Sequence, residues 1–484
     1  MPSTRPLTPL EQLLLRDQRP GFPMAFFIHC DVEGPLEPGR LETALRKAAS
    51  RHPLLRSRVG RTWWRPHWLQ PDVEPELLVY RREVAGRATA GTKDRPADDP
   101  WGPIDIRRTS GVRMVAIERS EHAWQVVIQF QHSVCDGLAG IEFFGDVWSL
   151  YHGDDPPSFR IHGRTARRAV DPQPAAGPAS ARQDGPAAAA QAGRGREAAR
   201  TETIRFASVL PATLARGPAD APAGGPPHDV ETPSRQRPQL PYRVTMFSRE
   251  ETATIRAGAV AASASLNDVV VAAVMRAACA WNAAAGHPAG SVRITMPASL
   301  KQPGARAPAC NDMGYAFLDR TAAECSQPAQ LVRSIAAASR WIQEHRAATV
   351  FLHALAGVER LPPLLWLLSR LPVTLSTAVV SYVGNLGTRM RANVPRQAGC
   401  DLPADLRITS IAGVPPIRPG TRLAIGVGIY DGQLRLSTLC DVRALGRAAA
   451  TLLPALIRGE VLGCAATLPA PTDDRRLAAR TTSR

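Results

Sequence analysis

The sequence reads as an α+β protein made of two halves of similar size, each mixing strands and helices. Three features carry that reading. Apolar runs of strand character and runs of helical spacing intermingle in both halves, without the strand-helix alternation of a doubly wound sheet. From Asp171 to Arg200, 19 of 30 residues are Ala, Gly or Pro and none is Ile, Leu, Val or Phe, so the middle of the chain cannot bury enough apolar surface to offset its ordering. Elsewhere apolar stretches are frequent: 44% of the 484 residues are hydrophobic and 21% charged, which excludes a wholly disordered chain. The expected divisions are an N-terminal half over 1–165, a mostly disordered crossover over 166–240, a C-terminal half over 241–470 and a tail over 471–484.

The first half opens with a helix from Pro9 to Arg16 and a strand from Met24 to Val32. A helix over Pro38 to Arg51 follows from the spacing of Leu41, Ala44, Leu45 and Ala48. Val112 to Glu118 and Ala123 to Phe130 form a hairpin across the polar Arg119 to His122. After Gln131-His132-Ser133-Val134-Cys135-Asp136-Gly137 comes a helix from Leu138 to Tyr151. The local order is strand, tight turn, helix.

In the second half, Tyr242 to Phe247 is a strand, and Ser248 with Glu251 makes a capping box for the next helix. Asn267 or Asp268 is placed to cap the long apolar helix Val269 to Trp281. Strands are expected at Arg293 to Met296, Gly314 to Leu318 and Thr377 to Val383, with a helix at Gln330 to His345. Leu423 to Ile429 and Leu434 to Leu439 form a hairpin around Asp431-Gly432, and Ala444 to Leu453 is a closing helix.

A net charge of +16 could point to nucleic acid, an anionic membrane or an acidic partner. Only three of the 59 basic residues, Lys47, Lys93 and Lys301, are lysine, and no basic stripe alternates with aromatics, so the charge reads as a compositional bias and no nucleic-acid partner is expected. The eight cysteines include no CxxC pair, so metal ligation is not expected; reduced, mostly buried thiols are. No secretory h-region opens the chain, which suggests a cytoplasmic protein. The apolar stretch Leu361 to Val380 is broken by prolines and Arg370; it reads as core helices, with membrane-surface association as the alternative.

His132 stands at a strand end with Asp136 four residues on and Gly137 at the turn into a helix. That position holds an imidazole rigidly, as a general base needs. The segment Gln131 to Gly137 resembles the HHxxxDG signature of the acyltransferase superfamily that includes peptide-synthetase condensation domains, chloramphenicol acetyltransferase and bacterial wax ester synthase/diacylglycerol acyltransferases. Arg51-His52-Pro53-Leu54-Leu55-Arg56 is similar to its RHxxLR segment. Leu7-Thr8-Pro9-Leu10-Glu11, Leu266-Asn267-Asp268-Val269, Met296-Pro297-Ala298-Ser299-Leu300, Asn311-Asp312-Met313-Gly314 and Ser381-Tyr382-Val383-Gly384-Asn385 follow in the order of the wax ester synthase type. Two departures stand out. Gln131 replaces the first histidine and Lys301 the usual arginine.

The resemblance implies two chloramphenicol-acetyltransferase-like sandwich halves in a pseudo-dimer, with a tunnel between them. It implies His132 as the base, Asp136 as an architectural carboxylate paired with Arg56 or Arg51, and Gly137, Asn311, Ser381 or Asn385 as oxyanion or substrate contacts. No bound cofactor is implied; acyl-CoA or a phosphopantetheine thioester is the donor. A hydroxyl acceptor such as a long-chain alcohol or diacylglycerol is the first reading, with membrane-surface or lipid-droplet association. A free-standing condensation enzyme served by an acyl carrier protein and a non-catalytic member, given Gln131, are the alternatives. His52 and His67 read as structural, and Cys135 as a small buried hydrophobe.

Overall fold

The computed structural model describes residues 5–61, 66–69, 73–81, 100–159, 211–217, 240–288, 290–302, 304–359, 375–390 and 406–469. The expected tail, the crossover apart from 211–217 and Leu240, and most of the apolar stretch from Leu361 lie outside the described residues. The first half comprises β1 (Arg5–Pro6), α1 (Pro9–Asp17), β2 (Ala25–Glu33), α2 (Pro38–Ser50), a 3-10 turn (Pro53–Arg56), β3 (Arg58–Arg61), β4 (Pro66–Leu69), β5 (Glu76–Tyr80), β6 (Val112–Ser120), β7 (Ala123–Gln131) and α3 (Gly137–His152). The second comprises β8 (Arg243–Met246), α4 (Arg249–Ala261), α5 (Leu266–Ala284), β9 (Ser291–Ser299), β10 (Met313–Thr321), α6 (Ala322–Cys325), α7 (Pro328–Glu344) and α8 (Ala348–Glu359). It continues with β11 (Ala378–Asn385), α9 (Leu386–Met390), β12 (Arg407–Val414), β13 (Leu423–Tyr430), β14 (Gln433–Cys440), α10 (Val442–Leu445) and α11 (Ala449–Ala466).

Each half is a sheet with helices on one face, the expected α+β sandwich. The first sheet runs β12-β2-β7-β6-β5. Phe26, Ile28 and Cys30 of β2 pack with Leu41 and Leu45 of α2 and Phe144 and Val147 of α3. Phe27, on the opposite pleat, meets Trp101, Val127 and Tyr242, as period-two alternation requires. The second sheet runs β10-β9-β11-β13-β14-β8. Its core is organised around α5, where Val269 to Met275 are all buried together with Phe247, Ile425, Leu453 and Ile457. A helix apolar on every face can only sit inside a core. Among the described residues one helix, α11, is long and apolar enough to cross a membrane by length and composition, and its Leu453, Ile457, Val461 and Cys464 are buried in this core.

Among the described residues, several contacts tie the halves together, and two of them are extensive. β12 comes from the second half yet pairs antiparallel with β2 in the first sheet, with Ile411 opposite Cys30 and Val414 opposite Phe27. It also crowds β13: a side chain at Gly426 would overlap the carbonyl of Gly413, so the strands meet through bare backbone. A second tie is a small cluster in which Leu10, Leu13 and Leu14 of α1 pack with Met24, Met313, Tyr315 and Leu355.

The hairpin around Asp431-Gly432 is present, both residues having positive φ (50° and 72°), as a two-residue turn of that type requires. Three local expectations are corrected. The cap of α5 is Ser265, whose hydroxyl accepts from Asp268 N–H while the Asp268 carboxylate accepts from Ser265 N–H; Asp268 is the other half of the box, and Asn267 lies inside the helix. The closing helix is two helices, α10 and α11, separated by Gly446 at φ 92°. The crossover is packed at 211–217: Leu214 is fully buried in the second core, Asn282 Nδ2 donates to Thr213 O (2.9 Å), and Gly217 N–H donates to Leu445 O (3.0 Å). An apolar residue flanked by peptide groups that find partners folds in whatever its neighbours' composition.

Candidate active site at the junction of the two halves

β7 ends at Gln131, and His132 N–H donates to Met24 O (2.7 Å), extending the pairing by one residue before the chain turns into α3. The imidazole is 7% exposed and meets the edge of the Phe26 ring, 5.1 Å between centroids. His132 Nδ1 lies 3.1 Å from Cys135 O. A carbonyl only accepts, so Nδ1 carries the hydrogen and Nε2 holds the lone pair. Burial keeps the imidazole below its ordinary pKa, against the pull of Asp136; Arg418 adds to the lowering. A neutral, fixed imidazole with a free Nε2 has the chemistry to accept a proton.

Asp136 is the N-cap of α3. Its Oδ1 accepts from Ala139 N–H (2.9 Å) and its Oδ2 from Asp312 N–H (2.9 Å), while its own N–H donates to Cys310 O (3.3 Å). The carboxylate is therefore architectural, but its partner is not the one expected. Arg56 bonds Glu74 (2.8 Å), and Arg51 donates to the carbonyls of Pro156 and Pro157 (3.2 and 2.8 Å) beneath the Phe159 ring. Among the described residues neither arginine reaches Asp136. The cation in its field is Lys301, an almost buried ammonium 3.8 Å from Glu142 Oε2. Burial opposes that charge, and Asp136 and Glu142 outweigh it and raise the ammonium's pKa. The residue that departs from the signature thus supplies the positive charge, from the opposite half.

Asn311 is corrected from an oxyanion contact to a brace: its Nδ2 donates to His132 O (3.0 Å) and Ser133 O (2.8 Å). Asn385 is exposed, and its Oδ1 caps α9 by accepting from Thr388 N–H (3.1 Å). Gln131 is fully buried and faces away from the cavities; its Oε1 accepts from Ser133 N–H (2.7 Å) and its Nε2 donates to Gln18 Oε1 (3.2 Å). It stabilises the turn from behind.

His132, Gly137 and Ser381 come together on one cleft, open to solvent, with about 760 Å³ of empty space counted out through its mouth. Its walls are apolar, with Phe26, Ile28, Leu138, Ile141, Met313 and Leu386 among them. A methyl group placed on Gly137 would meet no protein atom within 4 Å, because the space there is the cleft. A second chamber, with about 470 Å³ of empty space counted out through its mouth, also reaches His132. The two share His132, Pro297 and Pro415 as a partition. The wall from Gly413 to Thr421, which β12 delivers, was not anticipated from sequence; its prolines at 415, 416 and 419 mark a rigid loop, and that was the available signal. Cys135 is fully buried with its thiol pKa raised well above 9.0 by burial, so it is the inert hydrophobe expected. His52 is likewise structural: its Nδ1 accepts from Ala309 N–H (2.8 Å) and its Nε2 donates to Asp146 (3.2 Å). Among the described residues no group of three or more His, Cys, Asp or Glu could hold a metal ion.

No protein-family model matches the chain. Two curated proteins of Mycobacterium tuberculosis, the uncharacterized proteins MT2362 and Rv2305, are each 27% identical over 165 residues, 32% of this chain and 35% of their own length. The match thus spans about a third of those relatives. Solved structures align over nearly the whole chain. The first condensation domain of the CDA synthetase gives a TM-score of 0.56 at 16% identity, covering 97% of this chain and 98% of that one. Polyketide synthase associated protein 5 from Mycobacterium tuberculosis gives 0.56 at 17%, covering 95% and 98%. The starter condensation domain of rhizomide synthetase, solved with C8-CoA, gives 0.59 at 14%, covering 97% and 96%. With two helix-backed sheets meeting at the histidine of an HxxxDG turn, the chain has the condensation-domain fold, the two-halved chloramphenicol-acetyltransferase-like architecture that its motifs resemble.

Proposed function

We propose that the protein is an acyltransferase that moves an acyl group from a phosphopantetheine thioester, carried by CoA or by an acyl carrier protein, to a hydroxyl or amine, with His132 as the base. The observation that carries this is the position of His132: its unprotonated Nε2 stands where two cavities of different character meet. Nε2 takes the proton of the acceptor O–H or N–H as that atom attacks the thioester carbon. The C–O or C–N bond forms, the carbonyl becomes an oxyanion, and its collapse breaks the C–S bond. The thiolate then recovers the proton from the imidazolium and leaves as the thiol. The Gly137 N–H, at the first turn of α3, and the Ser381 hydroxyl are the groups assigned to the oxyanion.

The larger, apolar cleft suits the acyl donor. Beside it Tyr382 is 39% exposed, and the charges of Arg256 and Arg389 act on its hydroxyl. Both arginines are exposed and unpaired among the described residues, and Arg389 Nε lies 3.7 Å from where a side chain at Gly384 would begin. Unpaired guanidinium groups at the entrance favour a donor whose far end carries phosphate. Both donor sources are cytoplasmic, in line with the location expected from sequence. Gln131 lies outside the cavities, so its replacement of a histidine does not argue for a non-catalytic protein.

The test is incubation of the protein with labelled medium-chain acyl-CoA and a panel of alcohols and amines. His132→Ala should lower product formation by at least ~100-fold with the melting temperature unchanged. Equal turnover by the variant refutes the mechanism.

A further inference from the structure

The second chamber differs from the cleft in what lines it. Thr295, Ser376, Thr421, Tyr315 and Arg418 bring four hydroxyls and a guanidinium to a space framed by prolines. The Arg418 group donates its Nε (2.6 Å) and Nη2 (2.5 Å) to Asp17 Oδ2, which neutralises its charge and uses one edge of the fork. Nη1 has no protein partner among the described residues. Nor has the Tyr315 hydroxyl, although the ring is 6% exposed and held edge-on against Phe351 at 5.2 Å. The hydroxyls of Ser376 and Thr421 lie 3.4 Å apart, a weak mutual contact. Donors left open around a small cavity are a recognition surface for oxygen.

We propose that this chamber binds the acceptor, and that the acceptor is a compact molecule carrying, besides its nucleophilic hydroxyl or amine, a second oxygen that takes hydrogen bonds from Arg418 Nη1 and the Tyr315 hydroxyl. This rests on the acyl-transfer reading and narrows its substrate class. A long-chain alcohol or diacylglycerol would lay methylenes against these donors and leave them dry and unpaired. A site built to hydrogen-bond one group strongly rejects the analogue that lacks it. The cleft, by contrast, presents the apolar wall that an acyl chain needs. The protein therefore selects chain length in its donor and polarity in its acceptor.

The experiment compares acceptors of matched size, 1-pentanol with 3-hydroxybutyrate, and adds 1-dodecanol, all with one medium-chain acyl-CoA. The expected preference for 3-hydroxybutyrate over 1-pentanol in kcat/KM is ~100-fold or more. Tyr315→Phe keeps the ring and its packing; it should raise the KM for 3-hydroxybutyrate ~10-fold and leave the donor KM unchanged. Thr421→Val, on the other side of the chamber, is the second variant and should act in the same direction. Preference for 1-dodecanol, or an unchanged acceptor preference in both folded variants, overturns the proposal. Direct binding of the acceptors by calorimetry separates it from the reading on which it rests: selective binding without transfer sustains the chamber and refutes the acyltransferase, whereas transfer without selective binding does the reverse.

Discussion

The protonation state of His132 decides whether it works. Burial, helped by Arg418, lowers its pKa from that of an ordinary histidine and so favours the neutral imidazole. A base loses activity only when it binds a proton, so the rate should fall as pH drops, with a midpoint on the acid side of an ordinary histidine. A kcat/KM profile with its acid limb centred above 6.5 would show that the buried, neutral imidazole described here is not the operative base. In the sequence, the HxxxDG spacing alone reads more readily as a structural histidine; His132 is singled out as the candidate base by the ordered succession of motifs around it, which resembles an acyltransferase family. The partner of Asp136 was not legible there. Arg51 and Arg56 are near in sequence, while the Asp312 N–H bonds the carboxylate, and the Lys301 charge feels it, only after a second half of the chain has folded against the first.

At the scale of elements, the long periodic helices and the hairpins were readable from sequence, and what escaped was set by tertiary contact. β12 is such a case: its alternation is broken by a register shift between Ile408 and Ser410, and its partner β2 lies more than 370 residues away. The loop before β10 is another, and it has a consequence for catalysis. Cys310, Asn311 and Asp312 together make four hydrogen bonds to the turn from His132 to Asp136, two of them from the single Asn311 amide. The loop is anchored upstream, where Arg306 pairs with Asp146 and Ala309 N–H donates to His52. The second half thus positions a base that belongs to the first. Asn311→Ala removes two donors from buried carbonyls and should lower kcat by ~10- to 100-fold with the donor KM little changed. Asn311→Asp sets a carboxylate against the same carbonyls and should be worse than Ala in both rate and melting temperature. A merely packing role for Asn311 would reverse that order, since Asp keeps the volume that Ala loses.

For the molecule as a whole, the question is what holds the halves together once the peptide between them is cut. Composition predicts a mostly disordered crossover from 166 to 240 that contributes little to catalysis, with an apolar island at Ile204 to Leu214 as the part open to packing, and Leu214 is indeed buried in the second core. The segment 211–217 belongs to the second half through Leu214, Ala212 N–H to Ser291 O (2.8 Å) and Trp281 Nε1 to Ala215 O (2.9 Å). Meanwhile β12 is hydrogen-bonded along its length into the first sheet, and Arg418 of the second half is paired with Asp17 of the first. These ties survive a cut anywhere between 171 and 200. A recognition site for a specific protease inserted there should give two fragments that coelute on a sizing column and keep most of the transfer rate, because His132 and the walls described for both cavities are carried by the two halves that β12 holds together. Removing 211–217 as well should behave differently, since it uncovers the buried face of α5 around Trp281 and strands the Asn282 amide; the expected cost is ~2–5 kcal/mol, of the order of emptying one core position. Separation of the fragments after the first cut would mean that the crossover, and not β12, carries the association. An unchanged melting temperature after the deletion would mean that 211–217 rests on the second half without supporting it.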